Sequence, residues 1–427
     1  MDKVTRVLMQ LRDSHDGYAG ITQETQLLFS SFLDSSTIHP SGLLVKHGAH
    51  HLRPLSRGMV VNQNNRHQMA HQNIKRLSDF ILSYQENKTS DKLLPSLKDM
   101  FLLPFNIFYL NCLTSLGCSI AVDHFYGEGF ENFIWEFFFS KILPASDFNK
   151  LTRASFRTMR FPVNLMQLAG LFAITYPKLD TREYDIFVAQ NPFPLRVANN
   201  TQLVIRYHDS IPLFAPHLTD FSKFQQTFHY RSLKLNAKKG VFACVSSDVR
   251  NDLLRVCPRL EQRSVVIHDL VSSDYFWEEK SRHSLSDIVF LRGVQRKDKT
   301  SFTKNKLSIS FPYLLMVSTI EPRKNHLRMI KAWEIVRVAL KLDLKLIIVG
   351  KIGWNYKSIL DAMEPWQDRG ELFHLHNVPI PELRVLYKEA ACVVCPSMME
   401  GFDLSGIEAM LCGGKVAASN IPVHGEV

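Results

Sequence analysis

A chain of 427 residues, 45% hydrophobic and 22% charged, is long enough for two or three domains that each bury a core, and too apolar to be disordered. Its net charge of +10 points to acidic partners: an anionic membrane surface, phosphorylated small molecules or nucleic acid. The last is set aside, because no helix-turn-helix pattern, zinc-finger spacing or RNP-type aromatic strand is found. Seven scattered cysteines and no secretory leader argue against a disulfide framework and for a reduced, cytoplasmic setting, so Asn87-Lys88-Thr89 and Asn199-Asn200-Thr201 read as chance sequons.

Strand and helix patterns alternate, which predicts a parallel α/β architecture. Residues 6–11 (RVLMQL) read as a first strand. The loop 13–20 (DSHDGYAG) lies at its carboxyl end, and 22–33 reads as a helix with apolar Leu27, Leu28, Phe32 and Leu33. Ligands of open α/β sheets sit beyond the carboxyl ends of strands, so this loop with Gly17 and Gly20 is a site candidate; a plain turn fits it equally. Residues 42–46 suggest a second strand. The polar stretch 46–98 reads as a surface insertion or helical pair, part of a helical insertion near 46–145. Its His47, His50 and His51 lack a partnered cysteine or carboxylate pattern, which favours a solvated face over a metal site. Residues 101–122 carry no charge over 22 positions but include Pro104, Asn106 and Gly117, so a buried segment is favoured over a membrane span. The aromatic-rich segment 125–143 is expected in the core.

Residues 184–189 (YDIFVA) and 203–207 (LVIRY) are strand signals rich in β-branched and aromatic residues. The second ends at His208-Asp209-Ser210-Ile211-Pro212, a polar pair at a ligand edge or a structurally capped histidine. A helix over 224–237, a strand over 240–246, Ser247 as the cap of a helix reaching 256, and a strand over 264–268 follow. Six basic residues against one acid between Arg292 and Lys306 mark a basic linker, set at 286–310 between lobes 1–285 and 311–427.

The second lobe repeats the pattern. Strand 313–317 runs into STIEPRKN (318–325) and an amphipathic helix with Leu327, Ile330, Trp333, Val336 and Leu340. Strand 344–349 ends in GKIGW (350–354), 378–391 is loop and helix, and 392–395 a strand. Cys392 and Cys395 have CxxC spacing, but three apart in a strand they face opposite sides and no second pair exists, so a zinc or redox site is rejected. Glu400 then sits on a Gly-containing turn, a helix starts near Leu404–Ser405 and carries Glu408, and a Cys-Gly-Gly turn leads to a short strand, 416–418.

Three strand-end loops thus converge: 321–325, 350–354 and 400–405. A loop entering a helix is a ready anion site, because free backbone N–H groups and the helix dipole both favour phosphate. Carboxylates beside it suit sugar or ribose hydroxyls. Ser405 and Glu408 also fit a capping box, which would leave Glu408 capping its own helix. Arg323 and Lys324 match a pyrophosphate, and bases at a helix start are unfavourable unless an anion lies between them.

STIEPRKNHLRMIKAWE (318–334), LIIVGKIGW (346–354) and EGFDLSGIEAMLCGGKVAASNIPVHGEV (400–427) together resemble the nucleotide-sugar-dependent, retaining glycosyltransferases of family 4, which have the GT-B fold of two Rossmann-like lobes facing a cleft. Over the first half the resemblance is weaker but collinear. It implies that Glu400 and Glu408 are the family's spaced carboxylate pair. Arg323 and Lys324 then hold the donor diphosphate, and Glu408 binds the ribose. Glu400, with the backbone amides of Gly401, Phe402, Asp403, Leu404 and Ser405, faces the donor sugar and phosphates. His208 matches the histidine beside the sugar, and Gly17 to Gly20 the loop facing donor and acceptor. Glu400, His208 and Lys324 are the expected catalytic groups. No metal or other cofactor is expected. The implied reaction moves a hexose, mannose foremost, from a GDP- or UDP-linked donor to a glycan or lipid-linked acceptor in polysaccharide or lipopolysaccharide assembly. The implied place is the cytoplasmic face of the inner membrane, with peripheral contact to anionic lipid.

Two departures stand out. Asp403 occupies a position where the family usually has a small residue. A complete member would also continue for another half-domain past Val427, so the second lobe is expected to be truncated. The competing reading is therefore a nucleotide-sugar-binding protein without efficient turnover. A GT-B epimerase is remoter, since Arg323, Lys324, Glu400 and Glu408 argue against it.

Overall fold

The computed structural model describes residues 4–11, 20–45, 97–159, 161–172, 176–219, 222–293 and 311–427, with residue 74 as an isolated position. Gly17, the histidine-rich part of the insertion and the linker from residue 294 onward lie outside the described residues. The chain divides into two compact units. The first takes in Met1–His208, Thr227–Cys244 and Leu253–Val265; the second takes in Asp209–Gln226, Val245–Asp252 and Val266–Val427.

The elements of the first half run in the order β1 (Thr5–Gln10), α1 (Gly20–Asp34), β2 (Ile38–Leu44), α2 (Leu97–Ser115), β3 (Ser119–Ile120), β4 (Val122–Phe125), α3 (Glu131–Phe138) and β5 (Ser155–Met159). There follow α4 (Val163–Phe172), β6 (Lys178–Leu179), β7 (Ile186–Ala189), β8 (Gln202–Tyr207), α5 (Ser222–Asn236), β9 (Val241–Cys244), α6 (Ser247–Val256) and β10 (Ser264–Val266). They build a sheet ordered β10-β9-β8-β7-β1-β2-β5-β4, while β3 and β6 pair separately. The pairs from β9 through β5 are parallel, and β4 lies antiparallel on β5. Strand order reverses between β1 and β7, the place where an open α/β sheet leaves a crevice at its carboxyl edge.

The aromatic segment packs in the core as expected: Trp135, Phe138 and Phe139 are buried with Phe29, whose ring stacks on Phe139 at 6.2 Å. The segment 101–122 is only partly buried, through Leu110, Thr114 and Ile120. It forms most of α2, with Phe105 71% and Phe108 69% exposed, because only one face of that helix packs, against α4. Among the described residues no helix is long and apolar enough to cross a membrane. The cap of α6 is Ser246, whose Oγ accepts from the Val249 N–H at 3.2 Å, rather than Ser247. In α1 the buried residues include polar Thr22 to Gln26, whereas Leu27 and Leu28 are half-buried. That first turn rises from the carboxyl end of β1, and Glu24 there pairs with Arg206 at 2.7 Å.

In the second unit α7 (Leu285–Arg292) is followed by β11 (Tyr313–Val317), α8 (His326–Leu340), β12 (Lys345–Val349), α9 (Lys357–Asp368) and β13 (Leu372–Leu375). Then come α10 (Ile380–Glu389), β14 (Cys392–Cys395), α11 (Leu404–Leu411), β15 (Val416–Ala418) and α12 (Pro422–Glu426). The stretch expected as linker begins inside α7. Leu285, Ile288 and Val289 pack into this unit's core, and Arg292 forks onto Glu382 at 2.7 and 2.6 Å. The sheet is ordered β13-β12-β11-β14-β15, with parallel pairs throughout. Leu314 faces Leu346 on one side and Cys392 on the other, so the carboxyl ends of β12, β11 and β14 lie along one edge. Burial alternates along β14, which separates the two cysteines of CVVC, and all seven cysteines are free thiols.

Candidate functional site

In the second unit the strand order reverses between β11 and β14. The loops leaving these strands carry Arg323, Lys324 and Glu400. After β11 the chain passes Ser318 to Glu321, makes a 3-10 turn over Pro322–Lys324, and enters α8 through Asn325 in the left-handed region (φ 66°). The two bases therefore sit on the turn before the helix, not in its first turn. Gly350, just beyond β12, lets the backbones close up: a Cβ there would lie 2.0 Å from the Ser318 carbonyl oxygen.

Glu400 is the centre of the cluster. Its side chain is 5% exposed, and Arg323 Nη1 and Lys324 Nζ donate to its two oxygens. Arg323 also reaches Glu321 at 2.8 Å and the Met399 carbonyl at 2.8 Å. Burial works to raise the Glu400 carboxyl, but Arg323 and Lys324 outweigh it and hold Glu400 below its ordinary value. At Glu321 burial wins over the same cations and its value is raised. Arg323, despite burial, is held protonated by Glu400 and Glu321. The bases thus have protein anions between them, which explains their position without a ligand. The same cations and the start of α11 also present donors where a phosphate could compete.

The structure overturns the capping box. The cap of α11 is Asp403, whose Oδ1 accepts from the Ser405 N–H at 3.2 Å and from Ser405 Oγ at 2.7 Å. Glu408 lies a turn further on, buried, and accepts from Tyr387 Oη at 2.9 Å. A short side chain at the position before the helix reaches the first free N–H more directly than Ser405 could. Gly401 and Leu404 are buried, and Phe402 packs on His268 with ring centroids 5.4 Å apart. Asp209 also belongs to this unit: burial raises its carboxyl, an effect offset by Arg323.

His208 and Gly20 belong to the first unit. Gly20 opens α1 and is exposed. His208 follows β8, buried, with Nε2 3.1 Å from Gln190 Oε1. Burial, with Arg206 beside it, drives its value down to about 3, so it is a neutral imidazole. Beside these groups the fold buries Gln10 and Gln190 at the ends of the two strands where the order reverses, with Gln10 Oε1 accepting from Gln190 N at 3.3 Å.

Sequence reasoning missed Tyr387 and His424, whereas Glu321 and Asp209 were picked out only as members of the loop 321–325 and of the polar pair with His208, without a role of their own. Tyr387 sits in the last turn of α10 with no sequence signal. Among the described residues no cluster of histidine, cysteine and acids has the makings of a metal site.

Residues 297–427 match the family model of glycosyl transferases group 1. The chain is 35% identical over 115 residues to an O-antigen chain mannosyltransferase B of Escherichia coli, a match covering 27% of this chain and 30% of that protein. It is 26% identical over 225 residues to the O-antigen chain mannosyltransferase RfbU of Salmonella typhimurium, covering 52% and 53%. These matches span about half or less of the relatives' length. Among solved structures, sucrose-phosphate synthase from Thermosynechococcus elongatus aligns over 98% of this chain and 82% of its own, with TM-score 0.51 at 13% identity. TarM of S. aureus aligns over 98% and 86%, with TM-score 0.50 at 12% identity. The architecture is GT-B.

Proposed function

We propose that this chain is a retaining glycosyltransferase that moves a hexose, mannose foremost, from a GDP- or UDP-linked donor to the growing end of a surface glycan or its lipid-linked precursor. The observation that carries this reading is the cluster of Arg323, Lys324 and Glu400 where β11 and β14 diverge, inside the segment that matches group 1 glycosyl transferases. The mannosyltransferase relatives favour mannose and an O-antigen-type acceptor.

The chemistry follows from charge. Breaking the bond from the anomeric carbon to the diphosphate leaves negative charge on the leaving group, and the acceptor hydroxyl forms the new bond and gives up its proton to that group. Arg323, Lys324 and the N–H groups at the start of α11 stabilise this charge in fixed positions. Glu400 holds both bases in place until phosphate oxygens take over part of their hydrogen bonding, and then turns to the sugar hydroxyls. Glu408 takes the ribose, with Tyr387 fixing its carboxylate. The two cations supply what a divalent ion would, so transfer is expected without metal. Work at the cytoplasmic membrane face is part of the same proposal.

The test is transfer from GDP-mannose, and in parallel from UDP-hexoses, to a lipid-linked or free oligosaccharide acceptor, with the new anomeric linkage read by NMR. An α-linked product from an α-linked donor supports the reading. Inversion overturns the retaining part. Binding of the donor with no turnover on any acceptor favours the binding-protein alternative.

A further inference from the structure

His424, on α12, carries a second and independent statement about the anion-facing turn. Its side chain is 5% exposed. Nδ1 lies 2.9 Å from the Ser419 carbonyl oxygen and 3.3 Å from Ser419 Oγ. The Ser419 hydroxyl donates to the Ser397 carbonyl at 2.6 Å, so its proton is committed there and Nδ1 faces acceptors only. Nε2 lies 3.2 Å from Asp403 Oδ2, a carboxylate 6% exposed, at ion-pair distance but off the line of a well-aligned hydrogen bond. A neutral imidazole has one N–H and one lone pair. Here the Ser419 carbonyl takes the Nδ1 proton, and the Nε2 edge, buried and without another partner, stands at ion-pair distance from a carboxylate, which favours a second proton on the ring.

We propose that His424 is held as an imidazolium and is a positioning residue: it clamps Asp403, the cap of α11, and so fixes the turn from Gly401 to Ser405 that faces the anion. Asp403 is then shared between the Ser405 N–H and hydroxyl on one oxygen and His424 on the other. This accounts for an acid at a position where the motif usually has a small residue. The charge that would repel a phosphate is neutralised from behind. The pairing itself is independent of the glycosyltransferase reading; its consequence for nucleotide binding rests on it.

The charged and titratable groups around His424 come from several elements. Asp403 and Glu400 face it from the loop before α11. Lys324, from the turn after β11, acts on Asp403, and Cys395 of β14 lies with its Sγ 3.7 Å from Ser405 Oγ. Glu426, on α12 itself, is engaged by His268 at 3.0 Å and the Ser247 N–H at 2.8 Å. Burial opposes the charge on His424, but Asp403 and the Ser419 carbonyl prevail and its value is raised. A raised histidine contributes stabilisation that is complete below about pH 6.5 and is lost as pH rises through its folded value.

Two measurements on the full chain test this. Histidine-labelled protein is titrated by NMR, His424 being assigned by the resonance lost in His424→Gln. Its midpoint should lie above about 6.5 and fall when Asp403→Asn removes the carboxylate. GDP and UDP are then titrated calorimetrically into wild type and His424→Gln from pH 6 to 9. The terminal phosphate of the nucleotide titrates identically in both, so the difference between the two proteins isolates His424. Wild type should lose several-fold more affinity than the variant across that range, and the variant should bind weakly at pH 6, with an unchanged melting profile excluding misfolding. A His424 midpoint at or below about 6.5, indifference to Asp403→Asn, or parallel affinity profiles would overturn the proposal. If neither nucleotide binds either protein, the functional reading fails while the NMR titration still decides the pairing.

Discussion

Glu400 holds two cations at once, and that fixes what each substitution does. Lys324→Ala leaves Glu400 its bond to Arg323, so the fold should survive, while loss of one charge-stabilising donor should cost a few kcal/mol in the transfer step, about a hundredfold or more in rate. Steady-state transfer beside a thermal melt measures both. Glu400→Ala strips both bases of their shared acceptor, and removing one member of a buried ion cluster is expected to cost roughly 3–5 kcal/mol; denaturant unfolding reads it. Tyr387→Phe takes one donor from buried Glu408 and should weaken nucleotide binding with less effect on turnover. At this scale the sequence made Arg323, Lys324, Glu400 and Glu408 legible, because charges at strand ends and helix starts stand out from their background. It left Tyr387 and His424 hidden, since the partner of each, Glu408 and Asp403, stands 21 residues away in the sequence.

At the scale of elements, α11 depends on one side chain. Asp403→Ala removes its cap and should cost about 1 kcal/mol, more if the freed His424 is left without its anion; hydrogen exchange at the first α11 amides would show it. Strands β11, β12 and β14 were legible as short apolar runs between punctuating loops, since a parallel sheet buries both faces. Misread elements share a cause, which is tertiary context. Ser405 and Glu408 have capping-box spacing, yet Asp403 takes the cap by standing nearer the free N–H. The apolar segment in α2 looks buried by composition, yet half of it faces outward. The helix over 22–33 was read by its apolar Leu27 and Leu28, yet its polar start is the more buried part, where Glu24 meets Arg206.

Across the whole molecule, histidines kept neutral by buried or half-buried surroundings shape the response to acid. His208 is driven down to about 3 by burial and Arg206, and His229, paired with Tyr207 Oη at 3.0 Å, to about 4 by burial. His326, fully buried beside Ser318, is also driven to about 4. In each the folded value lies below the unfolded one, so as pH falls below about 6.5 the unfolded chain takes up protons that the folded chain refuses, and stability falls. Each group adds a slope of up to about 1.4 kcal/mol per pH unit until its folded value is reached. Melting curves between pH 7 and 4.5 should therefore shift downward steeply, and His229→Gln should flatten the shift. At this scale the parallel α/β class was legible because the βα alternation repeats in both halves, while GT-B came only from the resemblance, carried mainly by motifs of the second half.

The central claim is that the carboxyl edge of the second sheet takes a nucleoside diphosphate through Arg323 and Lys324. Its most direct measurement is calorimetric titration of GDP, UDP and ADP into wild type and Lys324→Ala, with a thermal shift alongside. Saturable binding of GDP or UDP to wild type, with a raised melting temperature and at least tenfold weaker binding to the variant, is the predicted result. No stabilisation of wild type by any of the three at millimolar concentration, or equal affinity in the variant, would contradict it.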